Sequence, residues 1–299
     1  MNIVGENRWW QRLLYFYIPL GIFVVLLLFP FYWMVIVSFR PDGDLLDTSR
    51  NPLLPHLFLR TDGFPWISLD SESTTLRHYR FLFEDTEFVR WLKNTIIVTV
   101  GATALALVCS ILIGYALGRF RFRGGTIMGA AIFIAYLVPP TLLFIPLAEI
   151  VARFGLYNRY WALILTYPTF LIPFASWLLM GYFQTISGEL EDAALVDGAS
   201  RLQAMRQIIL PLAMPGILSA GIFCFTLAWN EFLYALVFMG TGDMKTVPVG
   251  VVSDLIRADV YFWGALMAAA VLGSVPVAIA YSFFVDNYVS GRTAGATKG

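Results

Sequence analysis

The chain has 299 residues, of which 59% are hydrophobic and 13% are charged, and its formal net charge is zero. A soluble globular domain carries about 25% charged residues, so this composition excludes an ordinary soluble protein and indicates an all-α protein embedded in a bilayer. A neutral chain gives no reason to expect a nucleic-acid partner. Its two cysteines and two histidines form no Cys/His cluster, so we expect no metal site.

Six apolar segments are long enough for a transmembrane helix, which needs about 20 mostly apolar residues. They cover residues 13–38, 95–118, 126–148, 160–182, 214–238 and 261–285. We therefore predict a six-span membrane domain over residues 13–285, preceded by an N-terminal segment 1–12 and followed by a tail 286–299. The first segment exceeds the core of a signal peptide and no small-residue cleavage site follows it, so we interpret it as a retained anchor.

The distribution of Lys and Arg predicts the orientation, because both residues are enriched in short cytoplasmic loops. With the N-terminus inside, the short outer loops hold only Arg153, Arg159, Lys245 and Arg257. The inner segments hold Arg8, Arg12, Arg119, Arg121, Arg123, Arg201, Arg206, Arg292 and Lys298. We therefore predict a multi-pass protein with both termini in the cytoplasm.

Several predicted spans contain proline, which removes a backbone donor and kinks a helix. These prolines are Pro19, Pro139, Pro140, Pro146, Pro168, Pro173 and Pro276. Two interpretations stay open. The kinks are either ordinary distortions that membrane helices tolerate, or bends in helices that line a path which opens and closes.

The longest outer segment, residues 40–93, is too short for a domain with a substantial core of its own. Prolines and glycines predict an irregular first half. Residues 75–92 show helical spacing of apolar side chains, which predicts an amphipathic helix. We expect this segment to cap the outer mouth of the membrane domain.

A polar stretch, residues 189–211, separates the fourth and fifth predicted spans. Three acids, Glu189, Glu191 and Asp192, would lie in the first turn of a short helix, where the helix dipole favours them. Gly198 suits a left-handed residue that ends this helix.

A second short helix is predicted after Gly198. Ser200 and Gln203 match a capping box at its start, and we expect it to run to about Leu210 and to end at Pro211. The two helices form either an amphipathic elbow on the inner membrane face or a docking surface for a soluble protein. The acidic first helix favours docking, because the anionic inner leaflet would repel it.

The polar stretch resembles the EAA signature of inner-membrane permease subunits of binding-protein-dependent ABC importers. The matching residues are Asp192-Ala193-Ala194, Asp197-Gly198-Ala199-Ser200 and Ile209-Leu210-Pro211. Residues 114–120 (GYALGRF), 229–232 (WNEF) and 294–299 (AGATKG) resemble the carbohydrate branch, which includes the maltose-type permeases. The resemblance covers nearly the whole chain.

This resemblance implies that the cytoplasmic loop 184–213 docks in a cleft of an ATP-binding subunit. The implied docking residues are Glu189, Glu191, Asp192, Ala193, Ala194, Asp197, Gly198 and Ala199. The resemblance also implies that the first acid of the signature pairs with a basic residue of that subunit. It is Asp192 in this chain, where glutamate is usual, and Glu189 and Glu191 are possible substitutes for the contact.

The chain has no GxxxxGK[ST] phosphate loop, and its histidines, His56 and His78, lie together in one outer segment. We therefore predict that it is not an enzyme and holds no cofactor. The resemblance implies that ATP and magnesium are bound by two separate ATP-binding subunits. It also implies a second, homologous permease, an extracytoplasmic solute-binding protein and a location in the cell (inner) membrane, in contact with its lipid.

Glu231 is the only ionisable residue well inside a predicted span. A charge at mid-bilayer costs about 2.5–3.5 kcal/mol, so it should face a protein interior or water. Trp229, Asn230 and Tyr234 lie within a turn of it, and aromatic, amide and carboxylate groups suit sugar binding. Two interpretations remain open: the wall of a pathway for a polyhydroxylated solute, or a polar clamp between helices. Tyr136, Thr166 and Tyr167 are weaker pathway candidates.

The outer loop 239–258 resembles the loop that such permeases present to the solute-binding protein; the alternative is a plain connector. Together these observations predict a permease subunit of an ATP-driven sugar or oligosaccharide importer. One alternative keeps the transporter class and changes the solute to glycerol phosphate or a polyamine. The other is a membrane channel or enzyme without an ATPase partner, which would leave the polar stretch unexplained.

Overall fold

The computed structural model describes residues 9–45, 75–120, 122–257 and 260–296. In chain order its helices are α1 (Trp9–Ser38), α2 (Asp42–Leu45), α3 (Arg77–Glu84), α4 (Phe88–Arg119), α5 (Gly125–Leu137), α6 (Pro140–Arg153), α7 (Tyr160–Thr166), α8 (Pro168–Thr185), α9 (Glu189–Val196), α10 (Arg201–Leu212), α11 (Met214–Trp229), α12 (Leu233–Phe238), α13 (Val247–Leu255) and α14 (Trp263–Ala296). A short antiparallel hairpin pairs β1 (Ile256–Arg257) with β2 (Val260–Tyr261). Predictions for residues 1–8, 46–74 and 297–299 lie outside the described residues.

Four helical segments are long and apolar enough to cross a membrane: α1, α4, α7 with α8, and α14 up to Phe283. Two bent pairs also qualify when their helices are taken together. The axes of α5 and α6 differ by 93°, and those of α10 and α11 by 75°. Counting one span for each bent pair gives up to six, in agreement with the predicted all-α, six-span fold. In the second pair the predicted span, residues 214–238, begins at α11, and α10 belongs to the polar stretch before it.

The third span differs from the single helix expected over residues 126–148. Helix α5 ends at Leu137 and α6 begins at Pro140, with Val138 in an extended conformation. A residue that precedes proline is disfavoured in the helical region, and Val138 precedes Pro139. The paired prolines therefore break this span sharply instead of merely kinking it.

The fifth span is also interrupted. Helix α11 ends at Trp229 and α12 begins at Leu233, so Glu231 lies in the break between them. The amphipathic helix expected over residues 75–92 is likewise divided, since α3 ends at Glu84 and α4 begins at Phe88.

The contacts divide the chain into two compact units, Met1–Thr86 with Leu255–Leu272, and Glu87–Asp254 with Gly273–Gly299. Within the first unit, the Ser38 and Tyr79 hydroxyls lie 2.8 Å apart. The His78 ring is buried, with its Nε2 2.7 Å from the Arg40 carbonyl oxygen. A β-carbon on Gly264 would overlap this ring. These contacts join the end of α1, helix α3 and the start of α14.

In the second unit, α4 packs along α8, and α11 packs against both. Both helices bury small residues, including the fully buried Ala102 and Ala106 of α4 and Ala175 of α8. A β-carbon on Gly114 would lie 2.9 Å from the Leu179 β-carbon and 3.0 Å from the Met180 nitrogen. Small residues let membrane helices approach this closely, and this interface positions the polar stretch that follows α8.

Candidate functional site

The polar stretch forms an elbow of two short helices, α9 and α10, which we call the coupling elbow (residues 189–212). Helix α9 carries Glu189, Glu191 and Asp192 in its first turn, as expected. Glu189 and Asp192 are exposed, whereas Glu191 is only 6% exposed. The acids that share this turn therefore have different environments.

Glu191 is held inside the chain by two residues of α4. The Tyr115 hydroxyl donates to Glu191 Oε1 at 2.7 Å, and Arg119 Nε donates to Oε2 at 2.9 Å. The Arg119 and Glu191 side chains are each 8% exposed, so this is a buried ion pair. The Glu191 carboxylate consequently faces α4, and we name Tyr115, Arg119 and Glu191 the elbow clamp.

Arg119 also binds the end of α8. Its guanidinium donates to the Ile186 carbonyl oxygen at 2.7 Å and to that of Ser187 at 3.3 Å. These carbonyl groups belong to the two residues that follow Thr185, the last residue of α8, and a guanidinium has enough donors to bind them and a carboxylate together. One side chain thus connects α4, the end of α8 and the elbow.

The turn of the elbow confirms the predicted role of Gly198. Its φ is +88°, in the left-handed region. The Ala199 N–H donates to the Ala194 carbonyl at 3.0 Å and the Gly198 N–H to that of Leu195 at 3.1 Å. These two hydrogen bonds form a Schellman motif, which satisfies the final carbonyls of α9.

The predicted capping box is also confirmed. The Ser200 N–H donates to Gln203 Oε1 at 2.7 Å, and the Gln203 N–H donates to the Ser200 hydroxyl. The expected end of the second helix is wrong, however, because α10 continues through Pro211 to Leu212 and the chain bends at Ala213. Proline is tolerated here because it occupies the first turn of a helical segment that follows a π-helical turn, Met205–Ile209.

The predicted docking residues fall into two groups. Glu189, Asp192, Ala193, Asp197 and Gly198 are exposed and Ala199 is half-buried, whereas Glu191 and Ala194 are buried. Asp192 lines a cavity of about 920 Å³ together with Arg119, Phe120, Gln184 and Arg201. The Arg201 guanidinium lies 5.5 Å from the centre of the Phe120 ring.

Sequence reasoning missed Tyr115, Arg119 and Arg201 as functional candidates. Tyr115 and Arg119 lie in residues 114–120, the segment that resembles the carbohydrate branch. That resemblance did not indicate which residues these two side chains contact. Tyr115 and Arg119 are four residues apart and so share one face of a helix, next to the close approach of Gly114 to α8.

Glu231 caps the start of α12. Its Oε1 accepts from the Tyr234 N–H at 2.7 Å, and its Oε2 accepts from the Ala235 N–H at 3.1 Å. The Tyr167 hydroxyl donates to Oε2 at 2.8 Å. The first N–H groups of a helix lack partners within it and favour negative charge, so this carboxylate stabilises the break in the fifth span.

The other predicted pathway residues have different surroundings. Trp229 is buried and stacks on Phe225, with ring centres 5.6 Å apart. Asn230 is exposed, and its side-chain amide donates to the Thr226 carbonyl at 2.8 Å. Tyr234 is buried, and its hydroxyl donates to the Pro140 carbonyl at 2.9 Å.

A cavity of about 470 Å³ lies beside these breaks. Its wall includes Tyr136, Pro140, Thr169, Phe170, Phe223 and Glu231. Glu231 is therefore the one member of the predicted set of four that lines this cavity. Of the weaker candidates, Tyr136 lines it, Tyr167 binds Glu231, and Thr166 is buried with its hydroxyl bonded to the Ala162 carbonyl.

The outer loop 239–258, which the structure describes as far as residue 257, is tied to the start of α4. Asn94 Nδ2 donates to the carbonyls of Asp243 and Lys245, both at 2.9 Å. Trp91 Nε1 donates to the Gly242 carbonyl at 2.9 Å, and the Tyr160 hydroxyl donates to Asn94 Oδ1 at 2.8 Å. Backbone groups of the loop therefore have fixed partners, which is more order than a plain connector requires.

No group of three or more His, Cys, Asp or Glu side chains within the described ranges could hold a metal ion.

The family model and the most similar curated proteins indicate the same protein family. The family model for a binding-protein-dependent transport system inner membrane component matches residues 110–293. The inner membrane ABC transporter permease protein YcjP of Escherichia coli is 36% identical over 95% of this chain and 96% of its own length. The trehalose/maltose transport system permease protein MalG of Thermococcus litoralis is 33% identical over 92% of this chain and 93% of its own.

A further relative is the diacetylchitobiose uptake system permease protein DasC of Streptomyces coelicolor, 35% identical over 91% of this chain and 92% of its own. Among solved structures, a chain of a bacterial ABC transporter involved in alginate import superposes with a TM-score of 0.73. It covers 95% of this chain and 99% of that one at 22% identity, a likeness that shows the fold.

Proposed function

The chain belongs to the family of binding-protein-dependent transport system inner membrane components, and from this membership we propose that it forms part of the membrane pathway of an ATP-driven importer of sugars or oligosaccharides. It is a multi-pass inner-membrane permease subunit, and a permease subunit is not itself catalytic. Carbohydrate as the solute is supported by the names of the relatives, which include trehalose/maltose and diacetylchitobiose transport proteins.

The proposed assembly contains this chain, a second homologous permease, two ATP-binding subunits and an extracytoplasmic solute-binding protein. ATP and magnesium are bound by the ATP-binding subunits, and both termini of this chain lie in the cytoplasm. Support for the solute-binding protein comes from a structural neighbour, a bacterial alginate ABC transporter in complex with an alginate pentasaccharide-bound periplasmic protein. The outer loop, held by Asn94 and Trp91, is the proposed contact for the solute-binding protein.

The coupling elbow is the proposed site of contact with an ATP-binding subunit. This proposal rests on a difference in exposure among the acids of α9. Glu191 is buried in the elbow clamp, while Asp192 and Glu189 are exposed. The buried acid holds the elbow to this chain, and the exposed acids remain available to a basic residue of the partner.

Force applied to α9 would then reach the spans through the clamp. Arg119 binds Glu191 and the residues after α8 together, so we expect the elbow, α4 and α8 to move as one body. Rigid-body movement of such a unit between two arrangements is a common form of switching. The breaks at Val138–Pro139 and at residues 230–232 are the places where the spans can bend.

A charge reversal at Asp192 tests the docking proposal. Asp192→Arg places a cation opposite a basic partner residue, so we expect ATP hydrolysis and solute uptake to become uncoupled in reconstituted vesicles. A loss of about 1.4 kcal/mol of docking free energy corresponds to a tenfold weaker contact. Asp192→Glu, the matched control, keeps the charge and should retain coupling. Normal uptake by the Asp192→Arg importer would contradict docking at this residue.

A further inference from the structure

We infer that the cavity beside the two broken spans is a subsite for one uncharged sugar ring, and that Glu231 excludes anionic sugars from it. This inference rests on the proposed function and adds a location and a selectivity to it. The cavity volume of about 470 Å³ lies within the range of about 300–1,000 Å³ that is usual for small-molecule sites.

The two chain breaks meet at this cavity. Pro140 begins α6 after the first break, and the Tyr234 hydroxyl, just after the second break, donates to its carbonyl at 2.9 Å. Broken membrane helices are tolerated where they line a cavity or are buried in protein. In transporters such discontinuous helices typically build the substrate site near the middle of the bilayer.

The polar groups of the cavity suit hydroxyl groups. A carboxylate has about four acceptor positions, and Glu231 uses them for Tyr234, Ala235, Tyr167 and the backbone of Leu233; it therefore contributes its charge to the cavity. The Thr169 hydroxyl donates to the Thr166 carbonyl at 2.6 Å, so its oxygen remains an acceptor. The Thr169 oxygen can therefore accept a hydrogen bond from a sugar hydroxyl.

The remaining wall suits the apolar face of a sugar ring. Phe170 and Phe223 contribute aromatic surface, and Tyr136 adds a ring with a polar tip. Within the described part of the chain, the Tyr136 hydroxyl has no hydrogen-bond partner, so it can serve the solute as donor or acceptor.

Charge sets the selectivity. Glu231 is the only Asp, Glu, Lys, Arg or His among the residues that line the cavity, all of which are described. A sugar carboxylate or phosphate placed there would meet a negative charge with no cation in the wall. Repulsion between like charges a few ångströms apart is large in a partly buried site, so neutral rings are admitted and anionic ones rejected.

A cysteine in the cavity measures its charge directly. Ala135 lines the cavity, and Ala135→Cys is introduced into the full importer after Cys109 and Cys224 are replaced by alanine. The rates at which a cationic and an anionic methanethiosulfonate modify this cysteine are measured, and each is divided by the rate of the same reagent with free cysteine. We expect an excess reactivity toward the cation on the order of tenfold, the factor set by about 1.4 kcal/mol of electrostatic preference. Glu231→Gln should abolish this excess.

Glu149→Gln is the matched control, because Glu149 is exposed on the broken span that also carries Ala135 and does not line the cavity. It should leave the reagent preference unchanged. An equal preference in the Glu231→Gln and unsubstituted importers would overturn the role of Glu231. If Glu231→Gln does not assemble, potassium chloride titration of the unsubstituted site provides the second measurement, since screening must reduce a true charge preference.

Protection by sugars tests occupancy. The probe is whichever of maltose, diacetylchitobiose and galactobiose the assembled importer accumulates with ATP. That sugar should slow labelling of Ala135→Cys, Thr169→Val should weaken the protection, and digalacturonate should not protect. ATP-driven uptake without any protection would refute the subsite while leaving the proposed function intact. Failure to accumulate any of the three sugars would instead count against the proposed function.

Discussion

At the scale of single residues, the buried pair of Arg119 and Glu191 connects three elements through one guanidinium. Both side chains are 8% exposed and the Nε–Oε2 distance is 2.9 Å. A buried charge that loses its partner is strongly destabilising, by about 3–5 kcal/mol. Packing of the elbow against α4 should therefore depend on the charge of Glu191 and not only on its shape.

We expect Glu191→Gln, which keeps the shape and removes the charge, to lower the thermal stability of the detergent-solubilised chain by an amount within that range. The control is Glu87→Gln, which breaks the exposed Arg90–Glu87 pair at 3.1 Å; its expected cost is about 0–1 kcal/mol. Equal melting shifts in the two variants would show that the clamp contributes no more than a surface pair.

Sequence alone could predict which acids begin α9, because their place in the first turn follows from the helix dipole. It could not predict which acid is buried, since that depends on where the end of α4 lies in space. Glu231 shows the same limit. Its presence in an apolar span is an evident signal, but its action as a cap requires knowledge of the break at residues 230–232.

At the scale of elements, the elbow turn depends on the left-handed conformation of Gly198. Its φ is +88°, and a β-carbon at this position would meet no atom within 4 Å, so conformation and not space is the constraint. An L-residue in this conformation costs about 1–2 kcal/mol. We therefore expect Gly198→Ala to loosen the turn, seen as faster amide hydrogen exchange over residues 189–200 and as reduced coupling of ATP hydrolysis to uptake.

Gly188 is the matched control for this substitution. It immediately precedes the elbow and has open space around its α-carbon, but its φ is −65°. Gly188→Ala should leave exchange and coupling unchanged. An equal response of the two variants would mean that the added methyl group, and not the backbone conformation, is responsible.

The outer loop provides a second test at this scale. Asn94→Ala removes both donors to Asp243 and Lys245, so we expect faster proteolysis of residues 239–246 and weaker binding of the solute-binding protein. Tyr160→Phe, the control, removes only the hydrogen bond to Asn94 Oδ1 and leaves both donors. A loop that stays protected in Asn94→Ala would show that other contacts hold it.

Element positions were largely predictable, because long apolar segments have few alternatives. The breaks within the third and fifth spans were less predictable. Pro139 and Pro140 indicate a distortion but not a 93° bend, and the interruption after Trp229 contains no proline. It depends on the Glu231 carboxylate and the Tyr167 hydroxyl, which are 64 residues apart in sequence.

At the scale of the whole molecule, the proposed orientation follows from the Lys and Arg bias. A green fluorescent protein fused after Gly299 should fluoresce and an alkaline phosphatase fused there should be inactive, because the tail is expected in the cytoplasm. The same reporters inserted after Asp243 should give the opposite result. Active phosphatase at the C-terminus would invert the topology and place the elbow on the wrong side for an ATP-binding partner.

The π-helical turn Met205–Ile209 inside α10 has a consequence for the length of this segment. A π-turn accommodates one residue more than an α-helix does, and each residue of an α-helix advances the chain by about 100° around its axis. Because the wider turn absorbs its extra residue locally, removing one residue here should give an ordinary α-helical turn and leave the helical phase on either side nearly unchanged. This turn is therefore the place in the elbow where a one-residue deletion should be tolerated best.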